Sequence, residues 1–123
     1  MGYENLQDLY RFYRDNNVTT IMEEGAYNSK QPGFIELKNY VSAKLLWNVE
    51  DDMDSLIDEF MKGYYKEAEP YMRQFFNELR LRNEYIDANH LMTPSTGRIF
   101  GKFNPDKAYN FRQLKSWMDL INN

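Results

Sequence analysis

The residues that could do chemistry are few. They begin with the adjacent carboxylates Glu23 and Glu24, which follow the short β-branched run Val18-Thr19-Thr20-Ile21-Met22. Barrels of alternating strands and helices place their catalytic groups at the C-terminal ends of strands. Successive strand residues point to opposite faces, so at most one of the pair would face a barrel interior, and the sequence does not choose between them. A solvated acidic turn is the plainer reading of the same two residues. A second acidic cluster, Glu50, Asp51, Asp52 and Asp54, lacks the Gly and the terminal Glu of a helix–loop–helix calcium loop. A helix N-terminus explains it better, with Asp51 as N-cap and Asp54 facing the positive end of the helix dipole. His90 is the single His, and without further His, Cys or clustered acids at ligand spacing it makes a poor metal site. Ser95-Thr96-Gly97-Arg98 with Gly101-Lys102 lacks the spacing of a phosphate-binding loop and reads as a polar turn. Neither a metal nor a cofactor is expected.

Composition narrows the function classes. With 123 residues and no Cys, the chain can bury a core without disulfides, and thiolate chemistry is excluded. A net charge of −4 with no basic run argues against a nucleic-acid partner. No apolar run approaches the ~20 residues that a membrane-spanning helix needs. Met1-Gly2-Tyr3 carries no signal peptide, and the natural protein is expected to extend upstream. Ten Tyr, eight Phe and two Trp serve first as core filling. Their second use is as flat faces on which a sugar can stack. Asn17-Val18-Thr19 fits a glycosylation acceptor and is read as a chance match in a turn.

The elements that would position these residues are mostly helical. Leu6, Leu9, Tyr10 and Tyr13 follow Tyr3 at helical spacing, giving a first helix over about 3–14. Asp15-Asn16-Asn17 ends it, since Asn tolerates the left-handed conformation found just past helix ends. Val18–Met22 is read as a strand and residues 26–33 as a loop. Phe34, Leu37, Val41 and Leu45 form the stripe of a second helix, with Tyr40 and Trp47 at its edges. Its short connection to the next helix favours antiparallel packing.

The longest periodic stretch runs from Asp51 to Leu79 and is the centre of the chain. Gly63 and Pro70 interrupt it. Pro is disfavoured inside a helix and tolerated in the first turn, so the stretch divides into helices over about 52–63 and 66–82 with a bend at Tyr64-Tyr65. Residues 83–89 extend the second of these by up to two turns. Residues 83–106 are otherwise loop-rich, with a weak strand at Arg98–Phe103, and a last helix over about 107–121 aligns Phe111, Leu114, Trp117 and Met118. Phe60, Phe75 and Trp47 are expected to be buried where the helices meet. Residues 1–123 thus form a single domain or domain fragment, mainly α with one or two short strands. Periodicity alone gives this fold class and no function.

A function enters through a resemblance over residues 18–76. Met22-Glu23-Glu24-Gly25-Ala26-Tyr27, Ala43-Lys44-Leu45-Leu46-Trp47-Asn48 and Gly63-Tyr64-Tyr65 with Ala68-Glu69-Pro70-Tyr71 carry it. With these the chain resembles the C-terminal part of the barrel domain in a bacterial family of glycoside-hydrolase-like proteins of unassigned specificity. The resemblance implies a helical C-terminal fragment of a (β/α)8-type barrel, cut from a secreted or periplasmic parent. It further implies a carbohydrate partner bound through that parent, with Glu23 or Glu24, Tyr27 and Asn28 lining the sugar-binding face. The catalytic pair of the family does not lie in this stretch, so the chain alone is expected to be inactive. The alternative is an autonomous helical module that binds a sugar or a protein without catalysis.

Overall fold

A computed structural model describes residues 4–23, 34–88 and 110–122. The helices are α1 (Glu4–Asp15), α2 (Ile35–Trp47), α3 (Met53–Tyr65), α4 (Glu69–Ala88) and α5 (Phe111–Ile121), with one turn of 3₁₀ helix at Lys66–Ala68. These elements divide into two compact units, one within Met1–Lys66 and one within Glu67–Asn123.

The first unit is a helical hairpin with a third helix laid on it. Phe34 packs edge-on to Tyr65, the Tyr40 ring meets Phe60 at 5.4 Å, and Lys44 lies 3.8 Å from Glu59. Rising numbers on α2 pair with falling numbers on α3, so the two helices are antiparallel, as their short connection requires. The α2 stripe is buried in full at Phe34, Leu37, Val41 and Leu45, against Leu56, Ile57, Phe60 and Met61 of α3. Trp47 corrects the expectation made for it, being 93% exposed. Two residues past Leu45 turn its side chain about 200° round the helix axis, away from the buried stripe.

Local sequence explains the helix ends. Asp52, and not Asp51, caps α3: its carboxylate accepts the Ser55 backbone N–H at 2.8 Å. Asp51 instead belongs to the turn before it, where Asn48 Nδ2 donates to its carboxylate at 2.5 Å. At the end of α1, Asn17 takes a positive φ of 57°. The Val18 N–H donates to the Tyr13 carbonyl at 3.0 Å and the Asn17 N–H to the Arg14 carbonyl at 3.1 Å. This is the paired-bond ending that a left-handed residue allows, and it reverses the chain.

The joint between α3 and α4 falls one residue beyond the expected bend, at Lys66, whose φ is 49°. Gly63 stays inside α3, and Pro70 sits in the first turn of α4, where its missing N–H costs nothing. The pattern beyond Arg82 does extend this helix, to Ala88.

Val18–Met22 also departs from expectation. These residues form no strand, and no strand occurs among the described residues. β-Branched side chains favour extended backbone, but a strand exists only where a neighbour completes its ladder. The weak strand expected at Arg98–Phe103, His90 and the polar turn at 95–102 lie outside the described residues.

In the second unit α4 packs against α5. Asn110 caps α5 by accepting the Gln113 N–H at 2.9 Å. Trp117 is buried; its indole N–H donates to Glu78 at 2.7 Å, and its ring stands edge-on to Phe75 at 5.4 Å. Phe75 itself is half-buried, while Phe76 and Ile86 are enclosed. Of the apolar residues aligned on α5, Phe111, Leu114 and Met118 are exposed and Trp117 alone is buried.

Candidate functional site

Residues 18–23 leave the end of α1 without regular secondary structure, and their last residue returns to the helix they left. Tyr10 Oη donates a short hydrogen bond to Glu23 Oε1. Tyr10 is buried, at 3% exposure, one turn along the face that begins with Leu6. Ser42 of α2 is enclosed beside the same hydroxyl. The Tyr10 phenol is pushed up to about 12, first by burial and then by its hydrogen bond to Glu23. It therefore stays protonated, and stays a donor, at any physiological pH.

Of the four expected sugar-facing residues, Glu23 is described; Glu24, Tyr27 and Asn28 lie outside the described residues. Glu23 is exposed, with Oε1 occupied by Tyr10. The Tyr10 partnership left no mark in the sequence, because the two residues stand thirteen apart and share no periodic pattern. The signal that could have found it is Asn17, whose left-handed conformation turns the following chain back toward α1.

Around this corner the rest of α1 is tied to the α2–α3 connection. Gln7 Nε2 donates to the Val49 and Asp51 carbonyls at 2.7 and 2.9 Å. Arg11 and Arg14 both reach Glu50, at 3.1 and 2.6 Å. The Arg14 and then the Arg11 hydrogen bonds hold the Glu50 carboxyl below its ordinary value. The acidic run is thus divided between an ion cluster at Glu50 and a helix cap at Asp52, and no metal-holding cluster of acids, His or Cys occurs among the described residues.

A second group of aromatic rings lies at the end of α3. Tyr64 stacks on Phe60 at 4.8 Å, and Tyr65 stands edge-on to Tyr64 at 5.0 Å. Tyr64 is exposed, and Gly63 beside it has open space where a Cβ would stand.

The described residues are helical, and in the first unit an irregular segment is bonded back to the first helix. The chain belongs to the family described as Domain of unknown function (DUF4838), whose model matches residues 2–77. The match takes in α1, α2, α3 and the start of α4. Searches of curated proteins and of solved structures found no match. No helix among the described residues is long and apolar enough to cross a membrane.

Proposed function

We propose that this chain is the C-terminal segment of the barrel domain of a larger carbohydrate-active, glycoside-hydrolase-like protein, and that alone it is not a catalyst. Glu23 or Glu24, with Tyr27 and Asn28, lines the sugar-binding face. The observation that carries the reading is the fixed exit of residues 18–23. It holds a carboxylate at the start of the segment bearing the other three residues. The family match over residues 2–77 spans the stretch that resembles such barrels.

Hydrolysis of a glycosidic bond uses two carboxylates, about 5 Å apart in retaining enzymes and about 6.5–9.5 Å apart in inverting ones. Residues 18–23 supply Glu23 alone. The chain should therefore release no product from aryl glycosides above background. Reproducible turnover that disappears in Glu23→Gln or Glu24→Gln would overturn the inactive assignment.

A second reading, an autonomous module that binds a sugar or a protein, is favoured by Trp47, a large ring 93% exposed on a helix whose other face is fully packed. Titration of the isolated chain with oligosaccharides separates the two. Binding abolished by Trp47→Ala and untouched at Glu23 and Tyr27 favours the module.

A further inference from the structure

We infer that Glu23 is a positioning residue: its carboxylate is the anchor by which the Tyr10 hydroxyl pins residues 18–23 to the α1–α2 layer. The inference rests on the sugar-face reading and assigns a role to one of its two glutamates.

Two fixed points define the path of this segment. The first is the left-handed turn at Asn17, with its bonds to Tyr13 and Arg14. The second is the bond from Tyr10 to Glu23. Among the described residues, no other hydrogen bond reaches residues 19–23. Among the described residues no ladder holds them either, and the Tyr10 bond is what ties the end of the segment to α1.

The bond also matters to the donor. Tyr10 is 3% exposed, and Ser42, the polar neighbour on α2, is 5% exposed. Ser42 Oγ makes no standard hydrogen bond of its own among the described residues. Drawing the Glu23 carboxylate away toward a sugar hydroxyl would leave the enclosed Tyr10 phenol only the neutral Ser42 hydroxyl as an acceptor. A hydrogen bond to a neutral acceptor is roughly half as strong as one to a carboxylate. Glu23 is therefore held by the fold, and its exposure reflects its place at the rim of this bond.

The test compares the full chain with Tyr10→Phe, Glu23→Ala, Glu23→Gln and the Tyr10→Phe/Glu23→Ala double variant. Tyr10→Phe keeps the ring in the core and removes only the donor. Backbone NMR order parameters at residues 19–23 read the anchor. Titration with cellohexaose, mannohexaose and chitohexaose reads the sugar face. Tyr10→Phe and Glu23→Ala should each lower the order parameters at 19–23 from about 0.85, the level of rigid backbone, to below about 0.6. The double variant should do no more than either alone, and Glu23→Gln, which keeps a carbonyl acceptor, should restore most of the order.

Additive effects, or order parameters unchanged in both single variants, would overturn the inference. So would a Glu23→Gln variant with normal order parameters that lost about tenfold in affinity for a sugar the unsubstituted chain binds, since that carboxylate would then touch sugar. If the unsubstituted chain binds none of the three sugars, the sugar-face reading falls, and the order parameters still decide the anchor.

Discussion

The two units solve the same packing problem at different cost. In the first, three helices enclose Leu37, Val41, Leu45 and Met61 at 1% exposure or less. Polar side chains then fasten α1 to the connection between the other two helices. In the second, α5 commits one residue, Trp117, to burial, and Phe111, Leu114, Met118 and Ile121 remain exposed along it. A core built from several shallow contributions on each helix tolerates the loss of a contact at its edge. A helix that buries one ring and leans on Glu78 through the Trp117 indole and the Gln113 amide has less reserve. The family match follows this contrast, taking in the whole of the first unit's described helices and ending at residue 77, within α4.

The largest effect expected is in the first unit. Phe60 meets the Tyr40, Tyr64 and Tyr65 rings, and Phe60→Ala should remove about 3–5 kcal/mol from the denaturant-derived stability. A midpoint that scarcely moves would mean that the hairpin core is not where this unit's stability lies.

Trp117→Phe comes next. It leaves a ring beside Phe75 and takes the indole donor from Glu78, at a cost of about 1.5–3 kcal/mol for a hydrogen bond to a charged group. Amides of α5 should lose protection while those of α2 and α3 keep theirs. Equal loss in both places would erase the contrast between the units.

A smaller effect depends on pH. The Ser55 hydroxyl and then its backbone N–H hold the Asp52 carboxyl below its ordinary value. A carboxyl lowered by folding adds stability that is complete above its unfolded value and fades as pH falls through the lowered one. Acid titration of thermal stability should show this decline, and Asp52→Asn, which keeps a capping side chain, should flatten part of it. An unchanged profile would remove Asp52 from the cap. Glu50 is lowered in the same direction and adds to the decline.

The smallest effect belongs to Trp47. Exposed as it is, Trp47→Ala should alter stability by no more than about 0.5 kcal/mol. A large loss would mean that the ring is covered in solution.

These outcomes bear on how far the sequence could be read. The α2 stripe was legible because burial on one face of a helix writes itself as steps of three and four. The stop at Asn17 and the placement of Pro70 were legible because each residue has a single backbone use. The cap was misplaced by one because Asp51 and Asp52 are equally good acceptors, and the choice lies in which faces the Ser55 N–H. Trp47 was misjudged by its type, although its angle from Leu45 put it outside the stripe. Val18–Met22 has the composition of a strand, but pairing is a property of two segments and one segment cannot announce it. The bond between Tyr10 and Glu23 was equally hidden, since the two lie on different elements and share no periodic pattern.

The Gln7 side chain, bonded to carbonyls on both sides of Glu50, has a consequence in time. The contacts between α2 and α3 close over a short connection, whereas Gln7 must find Val49 and Asp51 at sequence separations of 42 and 44. Local contacts form sooner than distant ones, because less chain entropy is surrendered before the first contact is made. The hairpin therefore assembles first and presents the two carbonyls as a finished template, onto which α1 docks as a late step. Pulse-labelled refolding should show α2 and α3 amides protected ahead of those in α1; simultaneous protection would mean that the three helices condense together.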